Sequence, residues 1–330
     1  MVMEAIRAAR CPRLYVAADG PRERAGEAEL CAKARQVATA VDWPCQVHTL
    51  FREQNLGCRR AVSSAIDWFF DQEEEGIVLE DDCLPSGDFF RFCGELLSRF
   101  RWDKRVMAVC GSCYTKSTFD MEESYYFAYY PDIWGWATWR RAWQLYDRDL
   151  SRWPQFKKVG GLRPAFDGNR WRESAWSTWF DLTAAGELDT WDYQWIYTVI
   201  EQGGLACYPA RNLVSNLGHR ADATNTMVEV GCEPSPLAHM PHQPVHFPLR
   251  HPHELARSEA LERELEEVRL YYMKNWAFER LKRRLLRRRL ERILQLLPIS
   301  VKTPLTQLRA ARVRWIKHVE ALIGRDDSST

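Results

Sequence analysis

The stretch at residues 76–88, GIVLEDDCLPSGD, constrains this chain more than any other. Ile77, Val78 and Leu79 make a short apolar run of the kind that forms a buried strand. The run ends in three consecutive carboxylates, Glu80, Asp81 and Asp82. Pro85, Ser86 and Gly87 then break it. Asp88, in an N-cap position, opens a helical pattern over residues 89–100. Three adjacent like charges at the end of a buried strand are costly unless something positive sits among them. Carboxylate oxygens suit Mg²⁺ and Mn²⁺. In an open α/β sheet, ligands bind beyond the carboxyl ends of the strands. A solvated acidic loop is the alternative.

The surrounding pattern favours a sheet. Residues 13–18, RLYVAA, read as a strand running into the turn Asp19-Gly20-Pro21-Arg22. Residues 25–41 have helical composition, 45–51 form a second strand and 59–70 a helix. The acidic-triplet strand follows. Strand, turn and helix thus recur three times, which predicts an α/β fold with a mixed, mainly parallel sheet and crossover helices. Residues 106–110 make another strand, 125–130 an aromatic strand, 189–202 a helix and 205–209 a short strand. Residues 212–226 read as a loop.

The length of 330 residues predicts one large domain with appendages, or two domains. Net charge is +1, so no global bias points to nucleic acid. No apolar run is long enough to span a bilayer, and the N-terminus lacks a signal-peptide core. The ten cysteines are expected as reduced thiols of a cytoplasmic protein. Cys110 and Cys113 alone are weak evidence for zinc. Many of the fifteen tryptophans crowd into residues 134–195, which predicts a dense core or a ring-stacking pocket.

An ordered series of motifs now resembles a known family. They are Asp19-Gly20, Arg52 to Gly57, Glu80-Asp81-Asp82, Asp88-Phe89-Phe90, Gly135-Trp136, Trp191-Asp192 and the loop 218–226. Together they resemble nucleotide-sugar glycosyltransferases of the GT-A fold, over about residues 10–230. The likeness is to N-acetylglucosaminyltransferase I and bacterial hemolytic-protein-like relatives. It implies a UDP-sugar donor, a Mn²⁺ or Mg²⁺ ion, a glycan or lipid-linked acceptor, and transfer with inversion.

By that resemblance Asp82 is the metal ligand. Glu80 and Asp81 face the nucleoside, or serve only in strand-end hydrogen bonding. Asp19 contacts the uracil, or is a plain turn residue. Arg52 and Asn55 belong to the same nucleotide-binding group, with Arg52 reading base or phosphate unless it is a surface arginine. Asp192 is the catalytic base, since inverting transfer needs a carboxylate to take the acceptor proton. The competing role is a helix N-cap, which Asp189 could fill instead. In the loop 218–226, His219, Arg220, Thr224 and Asn225 offer donors to phosphate oxygens. Trp134 and Trp136 are candidates for the sugar platform or core residues. The family's sheet opens with an apolar strand that this sequence does not contain, so the first strand is expected to be missing.

The expected boundaries are a catalytic domain at 1–232, with halves at 1–115 and 116–232, a proline-rich linker at 233–253, and a helical region at 254–323. Within the last, residues 279–297 alternate arginines with leucines at helical spacing. Such a basic amphipathic helix binds anionic membranes, as at an inner membrane face, or docks on the domain. No groove-reading motif supports nucleic acid. The competing functions are a sugar nucleotidyltransferase, whose glycine-rich phosphate loop is not seen, and a non-catalytic scaffold.

Overall fold

Helix α1 (Val2–Ala9) leads into β1 (Arg13–Ala18), which pairs in parallel with β2 (Gln46–Phe51) after helix α2 (Glu27–Thr39). Helix α3 (Cys58–Gln72) then packs under β1, with Phe69 against Tyr15 at 5.0 Å between ring centroids. Phe69 also lies against Gly76 of β3 (Glu75–Val78), where a Cβ would come within 2.3 Å of the ring. The computed structural model describes residues 1–219, 237 and 239–268, all within one unit, Met1–Leu270.

A second strand group holds the core. After β4 (Cys83–Pro85) and helix α4 (Gly87–Phe100) come β5 (Val106–Cys110), β6 (Tyr125–Ala128) and β7 (Trp136–Trp139). Helices α5 (Arg140–Trp143), α6 (Trp153–Lys158), α7 (Leu162–Ala165), α8 (Arg170–Ala184) and α9 (Asp192–Glu201) follow, then β8 (Leu205–Pro209) and β9 (Val214–Asn216). The five-stranded sheet runs β3-β7-β5-β8-β6. Its core strands are fully buried and pack on Phe89, Phe92, Leu96 and Phe100 of α4.

The architecture is α/β with a mixed sheet, but less parallel than expected. Within the five strands only β5 and β8 pair in parallel; β3–β7, β5–β7 and β6–β8 are antiparallel. The β1–β2 pair and the five-stranded sheet share no ladder among the described residues. Accordingly β3, expected to be buried, is only half-buried, and no residue of α2 is buried.

Several boundaries moved. Ser86, not Asp88, caps α4 by accepting from the Phe89 N–H at 3.3 Å. Asp88 instead accepts from the Val245 N–H at 3.0 Å and so pins the proline-rich segment. That segment and residues 259–268, which are helical, pack on the rest of the Met1–Leu270 unit. The Ser258 N–H donates to Phe127 O at 2.9 Å, and Leu249, Leu261 and Leu265 are buried. By compactness the chain forms two units, Met1–Leu270 and Tyr271–Thr330. Segment 279–297 lies outside the described residues.

A buried ion network locks this extension to α8. Arg172 pairs with Glu266 and, at 3.5 Å, with Glu262; Arg257 reaches Glu262 at 3.3 Å and pairs with Asp167. Burial pushes the Glu262 carboxyl up to about 7 despite both arginines. The folded chain thus holds a proton that the unfolded chain has released. This group's stabilisation is complete below about 4.5 and lost as pH rises through about 7. Glu262→Gln should flatten the fall in melting temperature over that window by roughly 1–3 kcal/mol of stability. Parallel pH–melting curves for parent and variant would refute it.

Candidate active site

The acidic triplet sits where β3 ends, at the turn into β4. The short β4–β9 pair brings residues 214–219 alongside it, with Cys83 opposite Asn216. The Leu217 N–H donates to Asp82 O at 2.7 Å, and the Gly218 N–H to Asn216 Oδ1 at 2.7 Å. A Cβ on Gly218 would lie 2.0 Å from Asp82 Oδ2, so only glycine admits this approach. His219 follows directly. Its ring meets Trp134 edge-on at 5.3 Å, and its Nε2 is buried without a hydrogen-bond partner. Burial lowers its pKa, and His239 lowers it further.

The tryptophan-rich segment delivers the fourth carboxylate. Trp136 stacks on Trp191 at 5.7 Å, and both touch the Trp143–Trp195 cluster. Trp191 therefore stands rigid at the start of α9, its carbonyl accepting from the Tyr146 hydroxyl at 2.9 Å. Its Nε1 donates to Glu80 Oε1 at 3.1 Å. The next residue, Asp192, is the first residue of α9, with Trp191 in the N-cap position, and its carboxylate accepts from the Thr190 hydroxyl. Burial pushes Glu80 up to about 8, with Asp82, Asp192 and Asp81 raising it further. Only the Trp191 N–H opposes them. Four carboxylates from two distant segments thus share one electrostatic site.

Asp189 does not cap α9. Its carboxylate accepts from the N–H groups of Cys58 at 3.0 Å and Arg59 at 3.1 Å, capping α3. Local sequence carries no sign of this, because the two segments lie 131 residues apart.

The nucleotide-side residues form a second group. Asp19 accepts from the N–H groups of Leu56 at 3.0 Å and Gly57 at 3.1 Å, and from Asn55 Nδ2 at 2.9 Å. Arg52 donates to the Ser64 hydroxyl at 2.7 Å. Asp19, Arg52 and Asn55 therefore build the turn that closes β1 and β2. A Cβ on Gly57 would lie 2.5 Å from Asp189 Oδ2, so this turn abuts the segment bearing Asp192.

Trp136 does not reach the site. It is wholly buried behind Trp191, because β7 lies between β3 and β5 and its side chains are enclosed. Of the two roles expected for it, Trp136 is thus placed in the core, whereas Trp134 lies against His219. Arg220, Thr224 and Asn225 lie outside the described residues. Among the described residues no three His, Cys, Asp or Glu side chains are preassembled around a metal, and no helix is long and apolar enough to cross a membrane. The nine described cysteines are unbridged.

Fold and site together define an α/β protein with a cluster of carboxylates at a strand end. No protein-family model matches the chain, and neither does any curated protein sequence.

Proposed function

We propose that this protein is a metal-dependent glycosyltransferase that moves a sugar from a UDP-sugar to a hydroxyl of a glycan or lipid-linked acceptor, with inversion. One observation carries the reading: Asp192 is gathered with Glu80, Asp81 and Asp82, and among the described residues no cation offsets their effect on the Glu80 carboxyl. Such a cluster calls for positive charge. Asp82, with the orphaned Nε2 of His219, fits a Mn²⁺ or Mg²⁺ ion whose other ligands would be donor oxygens. A bound cation would neutralise the diphosphate as it leaves.

The protein's own groups supply the rest. Trp191 holds Glu80 in place through its indole N–H. Thr190 orients Asp192 by hydrogen bonding one carboxylate oxygen. Asp192 accepts the proton of the acceptor hydroxyl while that oxygen bonds to the anomeric carbon and the bond to the diphosphate breaks. The Asp19–Asn55 turn shapes the nucleoside side without spending its carboxylate on the base. Peripheral placement on a cytoplasmic membrane face suits a lipid-linked acceptor.

A non-catalytic scaffold is the second reading, favoured by the saturation of Asp19 within its own turn. Thermal-shift measurement separates the two. UDP and UDP-sugars should raise the melting temperature with Mn²⁺ and not with a chelator, because a ligand of the folded state alone stabilises it. No metal-dependent shift with any nucleotide-sugar would leave the scaffold reading.

A further inference from the structure

Away from the carboxylate cluster, the α6–α8 surface has an unusual composition. Val159, just after α6, is 68% exposed, and Trp171 in the first turn of α8 is 61% exposed. Short hydrogen-bonded turns connect them. The Arg163 N–H donates to Gly160 O at 3.0 Å, the Gly168 N–H to Arg163 O at 2.9 Å, and the Trp171 N–H to Asn169 Oδ1 at 3.1 Å. Val159, Arg163, Arg170 and Trp171 therefore occupy adjacent turns.

The charge of this surface is one-sided. Lys158, Arg163 and Arg170 are exposed, and among the described residues none forms an ion pair. The acids nearby are engaged: Asp181 with Lys157 at 2.6 Å, and Asp167 with Arg257. Glu173 is half-buried with one carboxylate oxygen enclosed. Three exposed cations without an ion pair among the described residues thus share the short segment 158–171 with two exposed apolar side chains.

We propose that this face, residues 157–171, docks on an anionic lipid surface. Cations alone would suit any polyanion. The indole and the valine decide for a bilayer, since a tryptophan beside basic residues sits stably at headgroup level. Each lysine or arginine close to the surface adds attraction to anionic lipid within a Debye length. The inference is independent of the catalytic reading, because none of these residues belongs to the carboxylate cluster.

The test is co-sedimentation of the full chain with phosphatidylcholine vesicles, with and without phosphatidylglycerol. The parent should bind the anionic vesicles selectively and release in high salt. Substituting Lys158, Arg163 and Arg170 together by glutamine should weaken anionic binding by about a hundredfold, at roughly fivefold per charge. Trp171→Ala should weaken it by about tenfold at unchanged melting temperature, since the ring is already in water. Because the 279–297 segment has its own charges, parent-like binding by both variants would overturn the proposal in favour of that segment. Equal binding to both vesicle types, or preference for an RNA or DNA oligonucleotide over the vesicles at one salt concentration, would also overturn it.

Discussion

Asp192→Asn is expected to reduce sugar transfer by at least about a hundredfold while leaving donor affinity nearly unchanged, the usual size of a lost general base. The amide keeps the shape and can still meet the Thr190 hydroxyl, so the start of α9 should hold. Asparagine cannot take the acceptor proton. The competing role, a helix cap, predicts about 1 kcal/mol of lost stability with turnover retained. Removing one charge from the cluster also relieves Glu80, for which Asp192 is one of the repelling neighbours. Melting temperature should therefore be equal or higher in the variant. Measuring transfer, donor affinity and melting temperature on one preparation decides the matter: full turnover would exclude Asp192 as base.

Asp82→Asn should abolish Mn²⁺-dependent UDP binding with the fold intact. Asp82 is fixed from two sides, by Leu217 on its carbonyl and by the close passage of Gly218 beside its carboxylate. A neutral amide in the same place loses the charge that would hold a divalent ion. It also removes a large repulsion on Glu80, so apo stability should not fall. Titration calorimetry with UDP, with and without Mn²⁺, reads the effect directly. Equal affinity in parent and variant with Mn²⁺ present would remove Asp82 from the metal site and with it the central element of the proposed function.

Much of the scaffold was legible in local pattern. Residues 13–18, 106–110 and 205–209 were expected as strands and are β1, β5 and β8. Helix α4 follows the acidic triplet as expected, since its apolar face repeats at helical spacing and Pro85-Ser86 sets its start. The tryptophan-rich segment resolves into core, as its burial of Trp136, Trp176, Trp191 and Trp195 shows. Strands β4, β7 and β9 were not legible. They are three or four residues long and owe their form to pairing partners far along the chain.

The amino-acid sequence by itself determined the α/β class, the acidic triplet at a strand end, and the candidate pair of Asp82 and Asp192. Those depend on periodicity, breakers and adjacent charges, which act between near neighbours. Only the tertiary structure decided that Asp192 shares a field with Glu80, that Gly218 passes against Asp82, and that Asp189 caps α3. It also decided that Trp136 is core and that Asp19 and Asn55 satisfy each other. Each of these turns on side chains tens to hundreds of residues apart meeting in space. No local propensity encodes such a meeting; packing of the sheet and the β4–β9 return does.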